Sequence, residues 1–510
     1  MIFLWRTKIK TEYIRNFIKN SSWGIAYIFI GAILTFVTRK LFLDFLGIGL
    51  LSVGTLFTSI IGMLSVAELG VSGAVSYICY KPIAEKDKRQ LSIIINSYKY
   101  INRTIGAVIF TIGLCFVPFL KYIIDIEIDE IYLYQIYILF LLTSVSTYFL
   151  AYNNVLLRAD QKEYISTKVI TLFFVLKSFV QIIVLILTES YLVYLSVDLV
   201  SNIALNVVIY KKVNKIYPFL KEKFEVSKRE KKLVWKKLKY YIVGMAGVRV
   251  AGVVINNTGN IVVSMINTIY VGLIANFNII VLLIVSIFNK IYASLIPMIG
   301  NVKNDKDSNK KLYEIFLNIF NTNSILTILV SVNFFIFSNN IIELWIGEKY
   351  RVSESIIVAL SLKFYHELIK APVWVFRDSL GFFNQCKNVL FIDAGLNLIL
   401  SFFLGFMIGV EGVILAIAIA HLLTNFWYDA KILYRKYLNR NLSEYFIINI
   451  KYLILFIFLC CFVKYVYLNF NFNSFILNFI FINIFIFIFL CIAKFSFVKE
   501  IYFAITNRFK

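Results

Sequence analysis

Five ionisable side chains crowd one apolar stretch of this sequence: Lys363, His366, Glu367, Lys370 and Arg377. Counted from Lys363 the others fall at offsets of 3, 4, 7 and 14. His366, Lys370 and Arg377 therefore share one helical face, and Glu367 can pair with Lys363 or Lys370. An ionisable group deep in hydrocarbon costs at least a few kcal/mol unless it faces a wet cavity or a partner. Charges kept in such places are candidate substrate or ion sites. Arg249 and Lys290 lie inside two other apolar runs, and Lys177 inside a third. Two readings stand for Arg249, Lys290, Lys363, His366, Lys370 and Arg377. They form an internal salt-bridge cluster that fastens helices together, or a cationic surface that faces a cavity and reads an anionic cargo. Cations outnumber acids within the runs, which favours the second. Lys177 takes the structural reading, because its own run offers no second charge.

The acids in or near the runs are Glu68, Glu367, Asp378, Asp393 and Asp429. Glu68 suits a helix-packing or gating hydrogen bond. Glu367 and Asp393 are either salt-bridge partners or proton or sodium sites that couple an ion gradient to movement. His421 is a satisfied bundle histidine or a protonation switch. No nucleophile, base and orienting group can be assembled, and two histidines leave little acid–base capacity, so the chain is not expected to be an enzyme. Six cysteines show no metal-ligand or Cys-x-x-Cys spacing, so no metal, cofactor or disulfide is expected. No phosphate-binding Gly-rich loop with its Lys-Ser/Thr ending appears, which excludes nucleotide hydrolysis by the chain itself.

What must position these residues is a membrane bundle. Of 510 residues 60% are hydrophobic and 16% charged, with a mean hydropathy of +0.80; a chain this apolar needs lipid around it. A crossing helix takes roughly 20 apolar residues. Runs of that kind fall near 22–42, 48–78, 92–118, 131–155, 168–188, 191–210, 240–266, 270–298, 313–337, 355–382, 387–408, 412–433, 446–467 and 475–493. The first lacks the short core and cleavage site of a signal peptide and is expected to be retained. In the loops, 37 Lys and Arg fall on one side and six on the other. This asymmetry puts both termini in the cytoplasm and accounts for the net charge of +23 without nucleic acid. The expected architecture is all-α: about 14 transmembrane helices in two pseudo-symmetric six-helix lobes plus two C-terminal helices. Residues 1–210 form the N-terminal lobe and 211–239 a basic cytoplasmic linker suited to anionic lipid headgroups. Residues 240–435 form the C-terminal lobe, and 436–510 the last two spans and a tail. A faint internal repeat supports duplication: Phe45-Leu46-Gly47-Ile48-Gly49 and Tyr270-Val271-Gly272-Leu273-Ile274 occupy equivalent links.

An ordered series of short stretches resembles the polysaccharide flippases of the Wzx type, a branch of the MATE-like transporter superfamily. The series runs from Arg39-Lys40-Leu41 and Glu68-Leu69-Gly70-Val71 through Arg158-Ala159-Asp160-Gln161-Lys162 and Ile299-Gly300-Asn301. It continues in Leu344-Trp345-Ile346-Gly347, Asn397-Leu398-Ile399-Leu400-Ser401 and Ile408-Gly409-Val410-Glu411-Gly412. The resemblance covers roughly residues 20 to 435. Many family members carry an acid early in span seven, where this chain has Asn256-Asn257-Thr258.

The resemblance implies a flippase of the bacterial cytoplasmic membrane. Its cargo is a polyprenyl-diphosphate-linked oligosaccharide moved to the outer leaflet by alternating access, for O-antigen, capsule or a similar surface polysaccharide. The cations of the runs would then read the diphosphate and acidic sugars. Membrane lipids, a proton or sodium gradient and the glycan polymerase machinery are the implied partners. A MATE-like drug or cation exporter is the rival within the superfamily, and the absence of acids from spans one and seven argues against it. A peptidoglycan lipid-precursor flippase is a further alternative. A membrane glycan polymerase or ligase would need a larger external loop than the sequence provides.

Overall fold

The computed structural model describes residues 11–68, 71–222, 224, 228–302, 308–469 and 474–506; side chains within 243–249 and 491–506 fall outside that description. Among the described residues the chain is helical, without a strand. Contacts divide it into two compact units, residues 1–276 and 277–510.

Unit 1 opens with α1 (Thr11–Leu64), α2 (Val71–Glu85), α3 (Lys88–Phe116), α4 (Glu130–Leu150) and the short α5 (Asn154–Ala159). It continues with α6 (Tyr164–Thr188), α7 (Tyr191–Ile216) and the first part of α8 (Lys228–Val302). Two of these helices contain a break. α1 turns at Gly47, whose φ of 74° suits glycine and strains other residues. α8 turns at Asn267, with extended φ and ψ of −163° and 114°. The breaks sit at the two links that the faint repeat pairs, and side chains join them. The Ser52 hydroxyl donates to the Ile269 carbonyl at 3.1 Å and accepts from the Gly272 amide at 3.1 Å. A Cβ on Gly272 would collide with that hydroxyl, so glycine is needed there for the close approach.

At the other end of this unit, the family-like turn Arg158–Lys162 is a clamp. Gln161 holds a φ of 57°, its carbonyl accepts from the Asn20 amide, and Asn20 also accepts from the Tyr164 backbone N–H at 2.6 Å. The Tyr217 hydroxyl donates to Asp160 at 2.6 Å. Burial first, and that hydrogen bond next, hold the Tyr217 phenol well above its ordinary value, so it stays a donor.

Unit 2 holds the remainder of α8, α9 (Ser308–Ile346), α10 (Glu354–Ile369) and α11 (Ala371–Leu380). α12 (Phe383–Ile408), α13 (Val410–Leu423) and α14 (Asn425–Ile432) follow, then α15 (Leu442–Asn469) and α16 (Phe475–Thr506). The Gly-Val-Glu-Gly turn is a tight connection between α12 and α13. Gly409 has a φ of 76°, and a Cβ on Gly412 would overlap the Leu404 carbonyl. Among the described residues, ten helices are long and apolar enough to cross a membrane. Two of them, covering 18–64 and 250–300, are each long enough to cross twice. Adding the interrupted pair α10–α11 and the apolar stretch Phe475–Leu490 gives about fourteen crossings. Large apolar side chains such as Leu187, Phe406 and Phe487 stand exposed on this bundle, as lipid contact requires.

Candidate functional site

The densest set of sequence-predicted residues assembles inside unit 2, where two membrane helices are interrupted. The first interruption lies at Lys370, between α10 and α11. Pro372 has no N–H and leaves the Leu368 carbonyl without its helical donor. The buried Asn323 of α9 supplies one, its side-chain amide donating to Leu368 O at 3.0 Å, while its own oxygen accepts from the Tyr292 hydroxyl. The second interruption lies at Thr424, between α13 and α14, where φ and ψ are −125° and −93°. Helix breaks at membrane depth persist where side chains satisfy the freed backbone, and they are the usual setting for substrate and ion sites in transporters.

Around these breaks lies a layer of paired charges. The Lys370 ammonium meets Glu367 at 2.8 Å and stands 4.2 Å from the centre of the Trp374 ring. Arg377 approaches the same ring at 5.3 Å, so one indole faces two cations. Arg377 bonds Asp429 at 3.0 Å and Asp378 at 3.2 Å. Asp429 is 1% exposed as a side chain, and a bond from a planar guanidinium is how such a burial is tolerated.

A second chain of contacts runs through the histidines. His421 Nδ1 lies 3.1 Å from Asp393 Oδ2, and the Asn425 amide donates to the same oxygen at 2.8 Å. The His366 and His421 rings are 5.1 Å apart, edge to face, and Nε2 of each is buried without a hydrogen-bond partner. A carboxylate that fixes one nitrogen of an imidazole, with the other nitrogen left open, is an arrangement able to take up and release a proton.

The structure thus brings together His366, Glu367, Lys370, Arg377, Asp393 and His421. Trp374 and Asn425 belong to the layer and carry no charge to reveal them in the sequence. Lys363 lies one turn from Glu367, half-buried and with no ion pair among the described residues. Lys290 of α8 is exposed, without an ion pair among the described residues. Arg249 lies on α8, but its side chain is outside the described residues. Glu68 ends a one-turn 3-10 helix, Ser65–Glu68, half-buried and with no hydrogen bond or ion pair among the described residues.

In unit 1 Lys177, whose own run holds no second charge, pairs with Asp198 of α7 at 2.6 Å. Lys177 lies eleven residues before the end of α6 and Asp198 seven residues into α7, so the hairpin sets them side by side. Arg39, in the first apolar run near 22–42, lies within α1. α1 stays helical to the break at Gly47, which leaves Arg39 about 12 Å inside it. The signal was available, because Leu41-Phe42-Leu43 continues the apolar run beyond Lys40.

No family model matches this chain, and no curated protein matches it by sequence. Solved structures do match. The lipid II flippase MurJ, in an inward closed conformation, superposes with a TM-score of 0.67 at 16% identity, over 93% of this chain and 99% of that one. An inward-facing multidrug resistance MATE family transporter of the MOP superfamily gives 0.57 at 15% identity, over 77% of this chain and 91% of that one. This chain has the MATE-like transporter fold. The MATE multidrug transporter DinF-BH repeats the finding, with a TM-score of 0.57 at 17% identity over 84% and 96% of the two chains. The all-α bundle of about fourteen crossings expected from the sequence is the architecture observed, and the chain is a multi-pass membrane protein. Within this MATE-like fold Lys370, Arg377 and Asp429 are largely buried, while their partners Glu367 and Asp378 reach the surface.

Proposed function

We propose that this chain is a flippase that moves a polyprenyl-diphosphate-linked oligosaccharide across the bacterial cytoplasmic membrane for surface polysaccharide assembly, with both termini on the cytoplasmic side. The observation that carries this reading is the length of the fold match. The likeness to a lipid-linked-precursor flippase runs through 93% of the chain, whereas the drug exporters cover 77% and 84%. The histidine–carboxylate chain Asp393–His421–His366 is proposed to couple movement to protons. Lys290 and Lys363, which make no ion pair among the described residues, are the proposed contacts for the diphosphate together with Arg249. Lys370 and Arg377, already paired, are proposed to hold the interrupted helices in place.

Reconstitution into proteoliposomes tests this. Polyprenyl-diphosphate-linked oligosaccharide loaded in one leaflet should become accessible from the other, and a fluorescent organic cation should not be transported. The opposite pattern would overturn the reading in favour of an exporter. A second reading, transport of a peptidoglycan lipid precursor, is favoured by the likeness to the lipid II flippase MurJ. Lipid II offered in the same assay separates the two. Lys290→Gln with Lys363→Gln should slow flipping at least tenfold at unchanged protein level.

A further inference from the structure

A cavity of about 290 Å³ lies wholly inside unit 1, apart from the network just described. It approaches the roughly 300–1,000 Å³ of small-molecule sites. Three charged side chains line it: Arg39 of α1, Lys177 of α6 and Asp198 of α7. Asp198 is taken by Lys177 at 2.6 Å. Arg39 makes no ion pair among the described residues, and its Nη1 is buried with no hydrogen-bond partner. The cavity therefore holds one uncompensated positive charge.

The rest of the lining suits a polar guest. Hydroxyls of Thr38, Thr55 and Thr58 donate to carbonyls of their own helix, so toward the cavity they offer only lone pairs, while Arg39 Nη1 is a donor without a partner. Tyr191 and Tyr194 close one wall, each edge-on to Phe42. The approach of Tyr191 to α1 depends on Gly54, where a Cβ would collide with the Tyr191 hydroxyl. An uncompensated guanidinium in such a space is costly when empty and favourable when an anion fills it.

We propose that the unit 1 cavity is a binding site for a monoanion held by Arg39, either a small inorganic ion or the carboxylate of an acidic sugar. The proposal does not rest on the flippase reading. Net charge decides occupancy, which gives the site an unusual signature. Lys177→Gln removes the partner of Asp198, brings the cavity to neutrality and weakens binding. Asp198→Asn raises the cavity to two positive charges and strengthens it. A merely structural role for the pair gives both variants the same direction.

Isothermal titration of the purified full-length protein in nanodiscs tests this, with sodium chloride, sodium glucuronate and neutral glucose as probes at constant ionic strength. Chloride or glucuronate should bind and glucose should not. Arg39→Gln should lose at least tenfold in affinity, Arg39→Lys should retain part of it, and Lys177→Gln and Asp198→Asn should move in opposite directions. Binding of chloride alone assigns an inorganic anion; binding of glucuronate alone assigns an acidic sugar; competition between them assigns a shared site. No binding of either anion overturns the proposal. So does equal binding by Arg39→Gln, or loss in both Lys177→Gln and Asp198→Asn. A melting curve on each variant confirms that the loss is not one of folding.

Discussion

In unit 2 two cations, Lys370 and Arg377, are paired with three carboxylates, Glu367, Asp378 and Asp429; in unit 1 Arg39 and Lys177 share a cavity with Asp198 alone. The first set closes on itself beside the interruptions that separate α10 from α11 and α13 from α14. The second leaves a charge over, with space beside it. Charge counts along a sequence do not separate these cases, because both present as cations in apolar runs. Partner geometry separates them: Lys370 and Arg377 are paired, whereas Lys290 and Lys363 make no ion pair among the described residues.

The sharpest way to break this contrast is to unpair Arg377. Asp429→Asn leaves a nearly buried guanidinium beside a neutral amide, and losing one partner of a buried pair costs about 3–5 kcal/mol. The melting temperature of the detergent-solubilised protein should fall accordingly. Replacing both partners, Arg377→Leu with Asp429→Leu, should recover much of the loss, since a buried pair swapped for apolar groups is often neutral. An unchanged melting temperature in Asp429→Asn would mean that Asp378, also 3.2 Å from Arg377, is the partner that matters.

A smaller effect probes the break in the helix itself. Asn323→Ala removes the side-chain donor to the Leu368 carbonyl, which then keeps only the Lys370 N–H, and the acceptor of the Tyr292 hydroxyl, which should cost about 1–3 kcal/mol. Pro372→Ala in that background restores an N–H in register with Leu368 and should return part of the stability. If Pro372→Ala rescues nothing, the interruption is imposed by the charges around Lys370 and not by the proline.

Much of this was legible in the sequence, and the reasons are physical. Span number was readable because each crossing must be continuously apolar; the shared face expected for His366, Lys370 and Arg377 assumed one helix, and the chain breaks at Lys370 between α10 and α11. Pairing was not readable. Asp429 lies 52 residues from Arg377 in sequence, and no local spacing rule links α11 to α14. The Lys177–Asp198 pair cannot be read from one run alone, because the partner of a hairpin residue sits on the next helix of the hairpin. Trp374 gave no signal, since an aromatic residue in an apolar run is unremarkable until cations are found on its face.

The smallest expected effect sharpens the contrast most, because it applies to unit 1 the operation that is destructive in unit 2. Lys177 and Asp198 are 25% and 31% exposed as side chains. A pair that water reaches is worth about 0.2–1 kcal/mol, so Lys177→Gln should move the melting temperature far less than Asp429→Asn does. Asp198, released, has Arg39 among the groups lining the same cavity and can turn to it without crossing apolar surface. The stability cost is therefore offset within the site itself, while the charge available to a ligand changes completely. If Lys177→Gln instead destabilises the protein as strongly as Asp429→Asn, the cavity is dry, its ion pair is structural, and the two units handle their buried charge in the same way.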